Sequence, residues 1–240
     1  MASHYELIGL NVKSIDDLKH YYQNGIELGD KIETEMGSYF LWKIGRGIEL
    51  WLQANKDGKL GINPHYFGTS EFKAEIKKRN INLNHTLLDG SLQCLSEEGG
   101  YPFIVDLPDF ATYKNIKIPQ SVILQITAFP HNINIYESEE DYYKKNTSEN
   151  TFAAEHFVPS GMFNTENSLE ADALFGGKVI KIEKIKNLIT RKDIYCAKTK
   201  TYGGEIDVLL TSSLLEGKEL KVGNNISGHF WLSAKILDKH

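Results

Sequence analysis

Alternation of apolar and polar positions dominates the chain, and its period of two predicts many short strands and few helices. Tyr5 to Val12 reads as a strand, with Ile8, Leu10 and Val12 on one side and Tyr5, Leu7, Gly9 and Asn11 on the other. Ser14 then stands as a helix cap with Asp17 three residues on. Ile15, Leu18, Tyr21 and Tyr22 form the stripe of a helix that ends near Gly25. Lys31 to Glu35, Tyr39 to Ile44 and Ile48 to Gln53 follow as strands divided by Met36-Gly37-Ser38 and Gly45-Arg46-Gly47, which makes a βαβββ unit. The order then restarts. Gly61 to Gly68 is strand-like, Ser70 caps a helix expected over Glu71 to Arg79 with Phe72 and Ile76 inward, and Asn80 stops it. Leu83 to Leu88, Ser91 to Leu95 and Tyr101 to Leu107 complete a second βαβββ unit.

Pro108 and Pro119 bracket a polar stretch, Asp109 to Gln120, that suits a domain junction. Beyond it Ser121 to Glu137 is a long strand or a hairpin, Ser138 to Lys145 an acidic helical start, Lys144 to Thr151 a solvated loop, and Phe157 to Phe163 an apolar-turn-apolar element. The remainder is β: Phe175 to Ile185, Ile194 to Thr201, Glu205 to Leu210 and Ile226 to Leu237, with Gly203-Gly204 as a turn and Leu214 to Glu219 as a short helix or loop. The expected fold class is α+β: paired βαβββ modules in residues 1–110, then a mostly β barrel in residues 120–240.

Two carboxylates interrupt these apolar runs. In Gly47 to Gln53, Ile48, Leu50 and Leu52 share one face while Glu49, Trp51 and Gln53 share the other, and Asp106 sits in the middle of Phe103 to Leu107. Isolated carboxylates in apolar strands are costly unless paired, so each marks either a site or a buried carboxylate satisfied by a neighbouring donor such as Lys43 or a tyrosine. Alternation predicts the rest of a ligand-binding wall: Tyr5, Leu7 and Asn11 from the first strand, Tyr39 and Lys43 from the third, Glu49, Trp51 and Gln53 from the fourth, and Asn63 and His65 opposite. An aromatic lining with a few placed polar groups suits a small-molecule pocket, and it equally suits a pocket filled by neighbouring side chains.

The paired βαβββ order, Val12 to Leu18 leading into an amphipathic helix, Ile48-Glu49-Leu50, and Val105-Asp106-Leu107-Pro108 together resemble the vicinal oxygen chelate superfamily, the glyoxalase and bleomycin-resistance fold. The resemblance implies a site on the concave face of the sheet, metal ligands from the first and last strands of each module, and dimerisation by module pairing. Glu49 and Asp106 fall at its last-strand positions. Leu7 stands where many members carry a histidine, and Ile62 or Asn63 at the equivalent place in the second module, so the usual ligand set is incomplete. Glu49, Asp106 and His65 are the residues through which a divalent metal would have to bind, and a metal-free pocket is the simpler expectation. The later strands resemble a small OB-like Greek-key barrel. Gly203 to Val208 and Gly228 to Ser233 resemble a pairing in bacterial proteins that implies no activity.

Composition narrows the partners. The chain has 240 residues, 41% apolar and 25% charged, with net charge -5 and both signs mixed along it, so no polyanion partner is implied. No apolar stretch approaches a membrane span or a signal region, and a cytoplasmic location without a membrane partner is expected. Cys94 and Cys196 lie far apart inside strand-like runs, as reduced buried thiols do. His85 and His131 read as solvated or capping residues. Ser160-Gly161 lacks the context of a nucleophile elbow, and no phosphate-binding glycine loop occurs. Lys178, Lys181, Lys184, Lys186, Arg191 and Lys192 form a basic run on the barrel, but Glu183, Asp193, Glu205 and Asp207 lie beside it, and Trp231 and Tyr195 are its only stacking candidates. Three functions stay open: a small-molecule binder, an assembly or single-stranded nucleic-acid module, and a metal-dependent lyase, isomerase or dioxygenase. A homo-oligomer is compatible with each.

Overall fold

The computed structural model describes residues 3–82, 86–149, 151–160 and 170–239. In chain order its elements are α1 (His4–Leu7), α2 (Ile15–Leu28), β1 (Asp30–Thr34), β2 (Gly37–Lys43), β3 (Ile48–Asn55), β4 (Leu60–Tyr66), β5 (Phe72–Ile81), β6 (Gly90–Ser96) and β7 (Pro102–Asp106). A 3-10 turn over Phe110–Tyr113 leads to β8 (Gln120–Tyr136), α3 (Glu139–Lys145), β9 (His156–Val158), β10 (Asp172–Lys186), β11 (Asp193–Thr201), β12 (Gly204–Thr211), α4 (Ser212–Leu215) and β13 (Asn225–Lys239). The fold is α+β and mostly β. No helix among the described residues is long and apolar enough to cross a membrane.

Three expected elements are replaced; the described end of the strand placed over Leu83 to Leu88, residues 86–88, belongs to a turn and not to a strand. The strand placed over Tyr5 to Val12 is helix α1 followed by loop. Ser3 and Glu6 close a reciprocal capping box around α1, and Gly9, at φ +84°, turns the chain out of it. Leu7, Ile8 and Leu10 are all fully buried, so their hydrophobicity reflects enclosure from every side and not one face of a sheet. The helix placed over Glu71 to Arg79 is β5. Phe72 and Ile76 stand four apart, a spacing that both periods allow. The buried Ala74 between them, with Lys73, Glu75 and Lys77 facing out, selects the period of two. Ser70, expected as the cap of that helix, is instead buried, and its hydroxyl bridges the backbone N–H and C=O of Ile126. The second repeat unit therefore contains no helix among the described residues. Residues 83–85, His85 among them, and residues 161–163 of the Phe157 to Phe163 element lie outside the described part.

β1 to β4 form a four-stranded antiparallel meander, and the other nine strands form one sheet. The segment expected to be a long strand or a hairpin is the single 17-residue strand β8, which pairs antiparallel with the 15-residue β13 over almost its whole length. The outer edges of this ribbon are each used twice. On β8, Phe72 to Ile76 of β5 pair with Gln120 to Leu124, and β12 then joins in parallel at Thr127 and Ala128. On β13, β10 pairs from Asn225 to Trp231, and β7 joins in parallel at Ser233. β5-β6-β7 and β12-β11-β10 thereby close two five-stranded circuits through the same two strands. Strands β5 to β7, read from sequence as part of residues 1–110, are thus hydrogen-bonded to strands of residues 120–240.

A single apolar cluster runs through both circuits, from Phe72, Leu92 and Phe103 to Val208, Phe175 and Phe230. Phe175 and Phe230 stack with centroids 4.0 Å apart. A second cluster joins the aliphatic face of β3 (Ile48, Leu50, Leu52) to α1 and α2 and to Phe129, Ile194 and Leu209 of the nine-stranded sheet. Phe230→Ala removes a fully buried ring from a strand common to both circuits, and a cost of about 3–5 kcal/mol is expected. Urea denaturation followed by fluorescence and by circular dichroism should show one shared transition moved to lower urea. Two separate transitions would contradict the shared core.

Candidate functional site

The register places most of the expected wall on one face. Across β2, β3 and β4, Lys43 pairs with Glu49 and Glu49 with His65, Trp51 pairs with Asn63, and Tyr39 with Gln53. The wall is, however, covered by protein. Tyr39 and Trp51 pack with Leu88 and Ala111, the Tyr39 hydroxyl donates to the Leu88 carbonyl, and the Ala111 N–H donates to that hydroxyl at 2.9 Å. The cover arises because Lys235 of β13 and the residues Leu88, Asp109 and Ala111 lie against this face, a placement that alternation within the first unit does not encode. Tyr5 belongs to α1 and reaches the sheet edge through a bond from its hydroxyl to Ile62 O at 3.0 Å. Asn11 is exposed in the loop after α1 and lies off the wall, and Lys43 is exposed at the end of β2. Leu7 is fully buried.

Two polar networks bind this face to the β8–β13 ribbon. In the first, the Trp51 indole N–H donates to Glu49 Oε2 at 2.8 Å, and the Lys235 ammonium lies 3.9 Å from the same oxygen and 3.4 Å from Asp109 Oδ2. The ammonium also sits over the Trp51 ring, 4.4 Å from its centroid. Burial pushes the Glu49 and Asp109 carboxyls above their usual range, and Lys235 pulls both back. In the second network, Gln125 Oε1 can only accept, so His65 Nε2 donates to it at 3.1 Å and Nδ1 accepts from Ser233 Oγ at 2.9 Å. Gln125 Nε2 donates in turn to Asp207 Oδ2 at 3.0 Å and to Thr127 Oγ1 at 2.9 Å. His65 is fully buried, which holds the ring neutral and pushes its pKa down to about 3.

Asp106 pairs in register with Ser233 and so comes close to the His65 network, while its carboxylate accepts from Trp231 Nε1 at 2.6 Å. Burial pushes its pKa up to about 7, and the Trp231 bond opposes that shift. Glu49, His65 and Asp106 each have protein partners, and among the described residues their ligand atoms do not gather as a metal would require. Lys235, Asp109, Gln125, Ser233 and Asp207 complete these networks and were not picked out from sequence. Trp231, Ser233 and Lys235 do alternate along β13, which shows a shared face but not what it meets.

Open space lies at the edge of the wall. A cleft of about 520 Å³ is lined by Tyr5, Gln53, Ile62, Asn63, Thr86 and Asp89, with Lys59 at its rim. Gln53 is 1% exposed; its Oε1 accepts from the Thr86 hydroxyl, and its Nε2 has no acceptor among the described residues. Asn63 Nδ2 donates to Asp89 Oδ1 at 3.0 Å across the same cleft. Neither protein-family models nor curated proteins give a match to this chain.

The networks have measurable consequences. Lys235→Met leaves two buried carboxylates without their cation, and a loss of roughly 3–5 kcal/mol is expected near pH 8. Carboxyl groups whose folded pKa is raised contribute stability that is present at low pH and lost as pH rises through the folded value. The deficit of the variant should therefore shrink toward pH 4, as paired urea titrations of variant and parent would reveal. For His65 the sign is opposite. The unfolded chain takes up a proton below about 6.5 and the folded chain only near 3, so stability is lost as pH falls across that window. His65→Gln should flatten the acid limb of a stability-against-pH curve relative to the parent, and an unchanged limb would show that another group governs it.

Proposed function

We propose that the chain binds a small molecule carrying a carbonyl or carboxylate acceptor in the cleft between β3, β4 and the Thr86 to Asp89 loop. The observation that carries this reading is Gln53 Nε2, a buried amide donor without an acceptor among the described residues, at the wall of that cleft. A buried unpaired donor costs about 1–3 kcal/mol, and a ligand that accepts from it recovers this. Lys59 supplies a cation at the rim, and Tyr5 and Ile62 supply apolar surface. The small-molecule expectation from the glyoxalase and bleomycin-resistance resemblance is retained, but its support now rests on Gln53 and not on Glu49 and Asp106.

Closure of β10-β11-β12-β8-β13 into a five-stranded circuit supports a barrel reading of the later strands, although its order, 2-3-4-1-5 by chain position, differs from the 1-2-3-5-4 order of β5-β6-β7-β13-β8. Single-stranded nucleic acid draws little support from this surface. Lys181 pairs with Glu183, and Lys184 and Lys186 pair with Asp193, so half of the basic run is already neutralised.

A thermal-shift screen of small carboxylic acids and amides tests the cleft. A ligand at a hundred times its Kd stabilises by about 2.7 kcal/mol and should raise the melting temperature of the parent protein. Gln53→Met keeps the volume and removes the donor, so it should lose the response. Equal shifts in parent and variant, or no compound that shifts either, would reject the cleft.

A further inference from the structure

Away from that cleft, three side chains converge on the outer face of the β8–β13–β10 strand triplet: His131, Asp172 and His229. The β8–β13 ladder carries a register shift at this point. His229 pairs with Asn132 and Phe230 with Pro130, which leaves His131 as the extra residue of a bulge. Bulges re-aim a side chain, and here the His131 ring comes to 4.9 Å, centroid to centroid, from the His229 ring. Asp172 pairs with Trp231 on the other edge of β13, so alternation sets it diagonally beside His229 on the same face.

The distances are those of a ligand shell more than of an ion pair. Asp172 Oδ1 lies 3.4 Å from His131 Nε2 and Oδ2 lies 3.4 Å from His229 Nε2, beyond the range of good hydrogen bonds. The ligand atoms of the three residues all fall within 4.8 Å of one another. Zinc bonds of about 2.0–2.2 Å to nitrogen and oxygen give tetrahedral ligand-to-ligand edges of about 3.4 Å. Ser160 Oγ stands 3.3 Å from His229 Nε2 at the rim of the group. Below it the floor is aromatic: Trp231 packs on Phe129, and the His4 ring stacks on Trp231 at 4.5 Å. The side chains keep 23%, 20% and 32% of their surface open for His131, Asp172 and His229, so an ion can enter from solvent.

We propose that His131, Asp172 and His229 form a binding site for a divalent transition-metal ion of the zinc type, with one coordination position left to solvent. Imidazole nitrogen with a single carboxylate suits Zn²⁺ and Co²⁺ and does not suit Mg²⁺ or Ca²⁺, which take oxygen shells. Three protein ligands with an open position are also the arrangement in which zinc can activate a bound water.

The test uses the untagged full chain stripped with chelator and titrated with Co²⁺, then Zn²⁺. About one Co²⁺ per chain should bind, with the intense visible absorption of four-coordinate cobalt, and Zn²⁺ should displace it and raise the melting temperature. Paramagnetic Co²⁺ should broaden the ring resonances of His131 and His229 before those of His20, which is exposed on α2. Asp172→Asn and His229→Gln alter partly exposed side chains; each should weaken Co²⁺ binding by about tenfold or more, while His20→Gln binds as the parent does. Melting curves in chelator identify any variant whose fold has changed, and the resonance broadening in the parent decides independently of the variants. Absence of saturable Co²⁺ binding, Asp172→Asn and His229→Gln that bind as tightly as the parent, or broadening centred on other residues would overturn the site.

Discussion

The antiparallel ribbon of β8 and β13 is the constraint on which the rest of the structure depends. Each strand has one edge in the ribbon and one edge left over, and that second edge is long enough to serve two neighbours in succession. Strand edges left unpaired are templates for aggregation, and closure into circuits removes them. Because both circuits close through the same two strands, their cores merge into one apolar cluster. The register shifts at His229/Phe230 and Ile236/Asp238 let so long a ribbon bend with both circuits.

The four-stranded meander is attached to this ribbon by polar groups as well as apolar ones. Its aliphatic face closes over α1, α2 and the nine-stranded sheet in the ordinary way. Its other face carries Glu49, Trp51 and His65 into a buried layer where Lys235, Asp109, Gln125 and Asp207 answer them. Buried polar groups of this kind demand specific partners, so they restrict how the sheet can sit on the ribbon more narrowly than aliphatic contacts would. That arrangement consumes the residues whose chemistry first suggested a site. What stays available lies at the margins: the donor of Gln53 at the sheet edge, and the histidines and aspartate where the ribbon bulges.

Local pattern was sufficient for much of this. The Ser14 cap and its helix, the three strands after it, the common face of Tyr39, Lys43, Glu49, Trp51, Gln53, Asn63 and His65, and the four late strands all follow from residues within a few positions of one another. Where local signals are degenerate the sequence misleads. The spacing of Phe72 and Ile76 satisfies two periods, and the hydrophobicity of Leu7 to Leu10 looks the same whether it arises from alternation or from burial on all sides.

By itself, then, the sequence determined the strand-rich α+β character and the face on which each strand's polar residues stand, because both are set by the backbone's own periodicity. Only the tertiary structure decided that β5 to β7 join the later strands, that Lys235 meets Glu49, and that His131 meets His229 and Asp172. These contacts link residues from about 40 to nearly 190 positions apart, and they depend on strand order and on a one-residue bulge. No local period encodes either.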